Sequence, residues 1–495
     1  MNWKLIFQSF RHEDMRKRLL SVLGMVIVFR ILAQIPIPLS DPNTLKALLE
    51  NLFTAAQGSD LLGFLNVLSG GALANFSIML LGLGPYINAS IIMQLLTKAI
   101  PRLEALNKEG EYGRKKINQY TRMLSFPLAL IQSVGAIFLV QQTAGQISGI
   151  GNITSGATPL DWAVMVGALT CGSMLLMWIG ELITEQGVGN GISLLITAGI
   201  VASLPATIVS IGDSLFAGDE SFQIFNTTIP VSETALFYVG LIVLVTILTT
   251  YIVVKLNEAS RNITIHYAKR VQGNRTYGGV TTILPVKLIT AGVVPIIFAV
   301  AFLSVPAFAG QLLATNSSAR LAELGQNLSI WFQTPSAQTF AVPGFEPFIY
   351  PVVYFSLVFA FTYFYTSITF NTKEIAENLQ KQGGFIEGIR TGLQTELHLK
   401  KTINRLTFFG ALSLGMLAVV PIIGQVFLQT TISIGGTSIL ILVAVSLETL
   451  RQIESRALMV TYDDYSRPDF FYGESEKETD RKLGLKKLKF IRRKK

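Results

Sequence analysis

Long apolar segments alternate with polar segments along the chain, and one apolar segment is too long for a single helix. Residues 61–97 carry no charged side chain, and Asp60 and Lys98 flank them. A helix crosses the hydrocarbon core of a bilayer with about 20 apolar residues. The segment is therefore too long for one crossing and too short for two crossings joined by a turn.

Glycine and proline interrupt this segment at two places, Gly70-Gly71 and Gly82-Leu83-Gly84-Pro85. Glycine is costly inside a helix, and proline removes a backbone donor. We predict a half-helix over about 61–69, a turn at Gly70-Gly71 and a full crossing over about 75–97. Freed backbone groups persist in a membrane only where protein or a water-filled cavity covers them, so a half-helix indicates a pore. A kinked helix with an apolar loop is the alternative.

Further apolar segments bring the predicted number of membrane crossings to ten. The crossings lie at about 19–35, 75–97, 119–142, 161–183, 191–211, 234–254, 284–308, 348–370, 406–428 and 438–458. Residues 1–18 place apolar residues on one helical face and basic residues behind them, which is typical of a helix at a membrane surface. A long, nearly uncharged loop is predicted to reach Pro347. The pattern predicts an all-α polytopic membrane protein with a re-entrant half-helix.

The loops between the predicted crossings sort by charge. Basic loops at 98–122, 255–283 and 371–405 lie on the side of both termini, and an acidic loop at 213–233 lies opposite. Residues 181–190 are the weak loop of the basic side, because they contain glutamate but no lysine or arginine. Since positively charged loops stay in the cytoplasm, we expect both termini there.

The same count divides the chain into two halves. We predict five crossings at 19–212, an external loop at 213–233, five crossings at 234–460 and a basic cytoplasmic tail at 461–495. An odd number of crossings turns the second half upside down, so the halves are predicted to form a pseudo-symmetric inverted repeat. This inference rests on topology, because the sequence shows no clear internal identity.

Composition supports a membrane protein and argues against several kinds of site. The hydrophobic share of the 495 residues is 50%, the charged share is 14%, and the mean hydropathy is +0.49. Such values are typical of polytopic membrane proteins. Cys171 is the single cysteine, and His12, His266 and His398 lie in separate polar stretches, so neither a disulfide nor a metal site is predicted. No nucleotide-binding P-loop motif occurs. We expect no cofactor, and a partner must supply any energy.

The predicted crossings contain very few ionisable residues. Arg30, Glu181 and Glu448 are exceptions that lie near the ends of crossings or in the first one. Ion-coupled transporters and intramembrane enzymes use ionisable residues near the midplane, so the sequence argues against a proton-driven carrier and against an enzyme. An apolar constriction instead seals a pore by excluding water. A secondary transporter with a discontinuous helix at its substrate site remains the alternative.

Several segments resemble one known family in the same order along the chain. They read SGGALANFSI with GPYINASIIMQLL, KEGEYGRKKINQYTR, MWIGELITEQGVGNGISLLI, YAKRVQGNRTY, FNTKEIAENLQKQGGFIEGIRTG and IGGTSIL. Over about residues 10–460 the chain resembles the SecY family, the channel-forming subunits of the bacterial Sec protein translocase. The resemblance implies a protein-conducting channel that moves unfolded preproteins across the cytoplasmic membrane and releases transmembrane segments sideways into lipid.

The resemblance assigns two structures within this channel. The half-helix corresponds to the plug of the resting channel, with Leu61, Leu62, Phe64, Leu65, Val67, Leu68 and Gly70. An apolar pore ring maps to Leu83, Ile87, Ile192, Ile196, Ile297 and Ile441. Leu83 departs from the isoleucine that is usual in the family pattern. Ordinary helix packing would also explain each of these residues taken singly.

A lateral gate is implied between the second and third crossings on one side and the seventh and eighth on the other. Asn88 and Gln132 would face this gate, where an arriving apolar signal helix could loosen them. An interhelical hydrogen bond with a purely structural role is the alternative for both amides.

The basic loops carry the implied contacts with soluble partners. Lys269, Arg270, Arg275 and Arg390 resemble residues that bind the SecA motor ATPase and the translating ribosome. Positive charge suits ribosomal RNA, although topology alone would also place basic residues there. Thr391 stands where the family pattern has proline. The resemblance further implies SecE-type and SecG-type small membrane subunits, signal peptides, preproteins and membrane lipid as partners.

Overall fold

The structure is a computed structural model of the chain. It describes residues 13–37, 77–146, 158–216, 222–224, 227–229, 233–267, 270–272, 275–277, 279, 281–314, 318–332, 345–428 and 436–466. The predicted half-helix at 61–69, the start of the amphipathic segment and most of the basic tail lie outside these residues.

Thirteen α-helices occur in the described part of the chain. Their bounds are α1 Glu13–Leu32, α2 Gly84–Ala99, α3 Pro101–Lys108, α4 Glu111–Gln146, α5 Pro159–Gln186, α6 Gly191–Phe216, α7 Glu233–Glu258, α8 Val294–Ala314, α9 Ala319–Phe332, α10 Ile349–Thr369, α11 Thr372–Lys381, α12 Leu393–Leu428 and α13 Gly436–Ser466. A 3-10 turn, Glu346–Phe348, precedes α10. Each of the ten predicted crossings contains one of these helices, and α3, α9 and α11 are additional.

Five helical stretches of the described residues are long and apolar enough to cross a membrane, and α6 and α8 hold shorter apolar helices. Most of the helices are longer than predicted, because they continue into polar residues beyond the apolar runs. Thr158, for example, begins α5 with a capping box in which its side chain and that of Asp161 exchange hydrogen bonds with the backbone. Residues 13–18 likewise belong to α1 and do not form a separate surface segment.

Two predicted crossings begin later than the apolar pattern indicates. The second was predicted from residue 75, but residues 77–83 form a bridge and turns, and the helix begins at Gly84. The seventh was predicted from residue 284, but Leu284 lies in a strand, and the helix begins at Val294. In both cases glycine and proline precede or open the helix, so hydrophobicity alone does not locate its start.

The predicted uncharged loop before Pro347 contains a helix, α9, that packs against α8. The two helices approach closely at Gly310 and Gly325, where a side chain on either glycine would collide with the other helix. This helix, Ala319–Phe332, was not predicted because its 14 residues are too few to cross a membrane. The twelfth helix was also underestimated, since it begins at Leu393 inside the predicted basic loop.

Seven short strands occur in the described residues: β1 Phe222–Ile224, β2 Thr227–Ile229, β3 Ser260–Tyr267, β4 Arg270–Gln272, β5 Arg275–Tyr277, β6 Thr281–Lys287 and β7 Gly384–Phe385. Strand β3 lies between β6 and β7, and both pairings are antiparallel. The predicted loops at 255–283 and 371–405 are therefore joined by one sheet. Ile263, Val286, Ile386, Leu399 and Ile403 form a small hydrophobic core beneath it. We call the sheet of β3, β6 and β7, together with this small core, the loop platform.

A second, larger hydrophobic core lies among the long helices. It contains buried residues from α1, α2, α5, α6, α7, α8, α10, α12 and α13. Many other large apolar side chains face outward, for example Leu244, Ile247 and Leu248 of α7, each of which is more than half exposed. This combination of an apolar interior and an apolar exterior is what a bilayer solvent favours, because the outer side chains contact lipid.

Candidate functional site

The turn segment that precedes α2, residues 77–83, is held by three neighbouring elements. The Ser77 hydroxyl donates to the Leu32 carbonyl at 3.0 Å, and Ile78 N donates to the Ile35 carbonyl at 3.0 Å. On the other side, the Ser173 hydroxyl of α5 donates to the Gly82 carbonyl at 3.2 Å in a buried contact. We call residues 77–83 the α2 entry turn. Its freed backbone groups find partners within the protein, as a break at membrane depth requires.

A comparable segment, residues 288–293, precedes α8, and we call it the α8 entry turn. Leu288 N donates to the Ala259 carbonyl at 2.9 Å, and the Thr290 hydroxyl donates to the Lys287 carbonyl at 3.0 Å. Gly410 of α12 lies so close to the Leu288 carbonyl that a Cβ there would approach it to 2.5 Å. The turn is therefore fixed between the loop platform and α12.

The start of α6 is set by the short turn after α5. Gly187 has φ 69 and ends α5 in the left-handed region, which favours glycine. Gly191 N donates to the Thr184 hydroxyl at 2.9 Å, and Ile192 N donates to the Asn190 side chain at 3.1 Å. Close packing of Gly191 against the Gly180 carbonyl leaves no room for a side chain. These contacts bring α6 against α5 from its first residue.

Two arginines from distant helices lie near the C-terminus of α5. Arg18 of α1 donates to the Gln186 carbonyl at 3.0 Å, and the Arg456 guanidinium of α13 packs beside Gly187. Cations at a helix C-terminus are favourable because unpaired carbonyls give that end partial negative charge. These contacts bring two basic side chains of other helices next to residues 181–190, which contain no lysine or arginine.

All six pore-ring residues belong to the large hydrophobic core. Leu83, Ile87, Ile196, Ile297 and Ile441 are between 1% and 6% exposed, and Ile192 is half-buried and packs against the same core. Leu83 directly precedes α2, and the others lie within the first two turns of α2, α6, α8 and α13. The α2 helix packs against α8, and α6 packs against α13. The starts of four helices therefore contribute to one apolar region.

The two amides predicted at the lateral gate lie on neighbouring helices, α2 and α4. Asn88 is buried in α2, and Gln132 is half-buried in α4. The Gln132 Oε1 atom lies near Gly84, since a Cβ on that glycine would be 3.7 Å from it. On the opposite side of the predicted gate, Phe298 of α8 packs edge-on against Phe361 and Tyr365 of α10.

The seam between the two sides of the predicted gate contains a close contact. The Phe308 ring of α8 occupies the space where Gly135 of α4 would otherwise carry a side chain. Helices α4 and α8 meet here through apolar groups. Small-to-large packing of this kind lets two helices approach without a hydrogen bond that would have to break on separation.

An ion pair that sequence analysis missed joins α4 to α5. Arg122 Nε donates to Glu181 Oε1 at 2.9 Å, and Arg122 Nη2 lies 2.5 Å from Glu181 Oε2, which makes the contact bidentate. The glutamate side chain is 15% exposed and the arginine side chain 46% exposed. Opposite charges in two adjacent predicted crossings were the available sequence signal, but their separation of 59 residues concealed the pairing.

We expect that replacing Glu181 by glutamine destabilises the folded channel by about 1 to 3 kcal/mol, between the values for exposed and buried pairs. The neutral amide occupies the same largely buried position as the Glu181 carboxylate but removes the negative charge that pairs with Arg122. Thermal unfolding of the detergent-purified protein measures the effect. Glu13→Gln provides the control, because the Glu13–Lys17 pair has both side chains 70% exposed and should contribute little. Equal unfolding temperatures for the two variants would contradict the expectation.

The predicted partner-binding residues all lie in or beside the loop platform, apart from Lys269, which lies outside the described residues. Arg270 and Arg275 lie in the β4–β5 hairpin, in which Gln272 pairs with Arg275. Arg390 is exposed, and its carbonyl accepts from the Thr395 hydroxyl at 3.0 Å. Gly388 and Gly392 on either side have φ 77 and φ 92. The turn thus presents the Arg390 side chain outward.

Burial and neighbouring charges change the pKa of one lysine, Lys287, where the loop platform meets α8. Burial lowers the pKa of Lys287, the Arg451 guanidinium lowers that pKa further, and the Glu448 carboxylate opposes both effects.

No group of three or more histidine, cysteine, aspartate or glutamate residues that could hold a metal ion occurs among the residues described. The predicted plug residues Leu61, Leu62, Phe64, Leu65, Val67, Leu68 and Gly70 lie outside the described residues.

Comparison with known proteins identifies the family. The SecY family model matches residues 77–450. The protein translocase subunit SecY of Streptomyces scabiei is 39% identical over 466 residues, which cover 93% of this chain and 99% of that protein. The corresponding subunit of Corynebacterium glutamicum is also 39% identical over 466 residues, with 92% and 98% covered.

Solved structures with the same fold include a protein-conducting channel at 17% sequence identity, with a TM-score of 0.56 over 88% of this chain and 91% of that one. Sec61 in the canine ribosome–channel complex from the endoplasmic reticulum is similar, with a TM-score of 0.54, 17% identity and the same coverage. These similarities confirm the predicted all-α fold of ten membrane-crossing helices. Together with the match to the family over most of its length, they show that this chain belongs to the SecY family.

Proposed function

We propose that this chain is the channel-forming subunit of a protein translocase, which moves unfolded preproteins across the cytoplasmic membrane and releases transmembrane segments sideways into lipid. The observation that carries the proposal is the apolar region built by the starts of α2, α6, α8 and α13. Its six pore-ring residues offer no hydrogen-bond partner to water or to an ion. Such a constriction closes by excluding water and binds no particular substrate, which suits a passenger of variable chemistry.

The proposed exit into lipid lies along the seam of α2 and α4 against α8 and α10. Support comes from the apolar contact of Gly135 with Phe308, which joins α4 to α8 across the seam. On one side of the seam, Phe298 of α8 packs against Phe361 of α10 and holds these two helices together. Separating such helices costs van der Waals contact but exposes no unpaired charge. Asn88 and Gln132 are the polar groups that an arriving apolar helix would displace.

The proposed plug comprises residues 61–70, which precede the α2 entry turn in the sequence. A solved SecY structure concerns a plug domain that stabilises the closed state of the translocation channel, at a TM-score of 0.56 and 18% identity. In this chain the α2 entry turn connects the proposed plug to Leu83 and Ile87. Movement of the plug would therefore act on Leu83, at the end of this turn, and on Ile87 in the first turn of α2.

The proposed partners follow from charge and from the relatives. The loop platform and the basic tail face the cytoplasm in our proposal, with both termini on that side. SecA and the ribosome would bind the platform at Lys269, Arg270, Arg275 and Arg390, since positive charge suits acidic protein and RNA surfaces. SecE-type and SecG-type subunits would cover apolar helix faces within the bilayer. One solved relative is a ribosome–channel complex.

Reconstitution into vesicles tests the proposal. We expect the chain, combined with a SecE-type subunit and SecA, to import an unfolded preprotein into the protease-protected vesicle lumen only when ATP is present. A preparation that lacks this chain provides the control, and so does a preprotein whose signal segment has been made polar. Absence of import together with exchange of a small solute would favour a secondary transporter. The translocase subunits among the relatives already disfavour that alternative.

A further inference from the structure

We propose that Gly82 and Gly292 are equivalent hinge glycines that fix the direction of two pore-ring side chains, Ile87 and Ile297. The inference deepens the proposed function and rests on it, because it assumes that the pore ring seals the channel. It assigns a positioning role to two residues that do not themselves belong to the ring. The two glycines also mark corresponding positions in the two halves of the inverted repeat.

The two entry turns share a sequence pattern. Gly82, Pro85 and Ile87 follow the spacing Gly-x-x-Pro-x-Ile, and Gly292, Pro295 and Ile297 follow the same spacing. Proline is the second residue of the helix in both cases. Neither pattern is distinctive alone, because glycine and proline are common at helix starts.

The two turns share three features of backbone geometry. Gly82 has φ 56 and Gly292 has φ 62, so both adopt the left-handed region. The amide of each glycine donates to the carbonyl three residues earlier, at 2.8 Å for Gly82 and 3.5 Å for Gly292. The amide of each ring isoleucine donates to the carbonyl four residues earlier, at 3.0 Å for Ile87 and 3.3 Å for Ile297. In both helices the isoleucine is the fourth residue.

The other two ring helices form a second matched pair. Residues 191–196 read GISLLI and residues 436–441 read GTSILI. Each segment opens its helix at the glycine, and the ring residues Ile196 and Ile441 are the sixth residue of their helices. In each pair the two helices pack against each other, α2 with α8 and α6 with α13. The paired helices are five crossings apart and therefore run in opposite directions, as an inverted repeat requires.

A fixed helix start matters because it decides which way a ring side chain points. Successive residues of an α-helix are rotated by about 100°, so a start displaced by one residue would turn Ile87 away from the constriction. The left-handed glycine and the proline fix the start from both sides. Leucine or alanine at the glycine would favour a right-handed backbone and let the helix extend backward.

Alanine substitution tests the hinges. Gly292→Ala has room for the new methyl group, since the nearest atom, Glu448 Oε2, would lie 3.8 Å from it. We expect Gly292→Ala and Gly82→Ala each to raise the resting ion leak in planar bilayers by about tenfold, the factor for a backbone penalty of about 1.4 kcal/mol, within the range of 1–2 kcal/mol. The two leaks should agree within a small factor, because the positions are equivalent.

Gly110→Ala is the matched control. Gly110 lies between α3 and α4 with φ 82, and no heavy atom lies within 4 Å of the position that a methyl group would take, so alanine carries the same backbone penalty there. Gly110→Ala should lower thermal stability about as much as Gly292→Ala but leave the ion leak at the wild-type level. Equal leaks in these two variants would reduce the hinges to ordinary stability sites and overturn the proposal.

Three further variants separate this inference from the pore-ring assignment. If Gly82→Ala does not accumulate, Pro85→Ala and Pro295→Ala release the same helix starts and should raise the leak in the same direction. A double polar substitution of the ring, Ile87→Asn with Ile192→Asn, is the positive control. Leak from the polar ring without leak from any glycine or proline variant would refute the hinges alone. If none of the glycine, proline and polar ring variants leaked more ions than wild type, both the hinge proposal and the pore-ring assignment would be refuted.

Discussion

Replacing Ile87 and Ile192 together by asparagine is expected to raise the resting ion conductance of the channel by about tenfold or more. Each buried polar group costs on the order of 1 to 3 kcal/mol unless water enters with it, so the dry closed state loses stability relative to a wet one. The open state should become easier to reach, and preproteins with poor signal sequences should be accepted. Single-channel recording in planar bilayers measures the leak.

Two controls accompany the ring variant. Ile87→Val with Ile192→Val should leave conductance near the wild-type value, because the constriction stays apolar and close to its original shape. Leu244→Asn with Ile247→Asn places the same polar groups on α7, where the two side chains are 60% and 65% exposed. This change should destabilise the protein in lipid without opening it. A polar ring variant that conducts no more than wild type would mean that these residues only pack helices.

Reversing the charge of Arg390 to glutamate is expected to reduce SecA- or ribosome-dependent transport by about tenfold or more, the factor for losing a charge-assisted contact of 1.5–3 kcal/mol. The Arg390 side chain is exposed, and the hydrogen bond that holds its turn joins the Thr395 hydroxyl to the Arg390 carbonyl, so folding should be unaffected. Import into reconstituted vesicles measures the loss, and quantification of folded channel in the membrane checks accumulation.

Arg114→Glu is the control for that experiment. Arg114 is an exposed basic residue near the start of α4, outside the loop platform, and its reversal changes the net charge by the same amount. Transport should fall with Arg390→Glu and stay near normal with Arg114→Glu. Wild-type transport by the Arg390 variant, or the same loss in both variants, would leave Arg390 as a charge that only orients the protein.

Several features of this protein could be predicted from the sequence because they depend on local composition. Each of the ten apolar segments contains a helix, since a bilayer-spanning run of apolar residues satisfies its backbone only within itself. The breaks at Gly82 and Pro85 were visible for the same local reason. Motif order along the chain was sufficient to predict the family and, through it, the six pore-ring residues. Their role in closing the channel remains a prediction that the ring variants test.

Only the tertiary structure decided where the broken helices begin and how the loops fold. The α2 entry turn accepts a hydrogen bond from Ser173, which is 91 residues away, and the α8 entry turn is positioned by Ala259 and Gly410. The sheet of β3, β6 and β7 joins two loops that α8, α9 and α10 separate in the chain.

The internal repeat was hidden for a related reason. Two short patterns of glycine, proline and isoleucine are too common to stand out, and they gain meaning only when Gly82 and Gly292 are found with the same backbone conformation. Hydrophobicity reports which residues avoid water, and a membrane protein is apolar both inside and outside. The sequence therefore determined how many helices cross the bilayer, whereas contacts between distant residues decided where the broken helices start and which side chains are buried between helices.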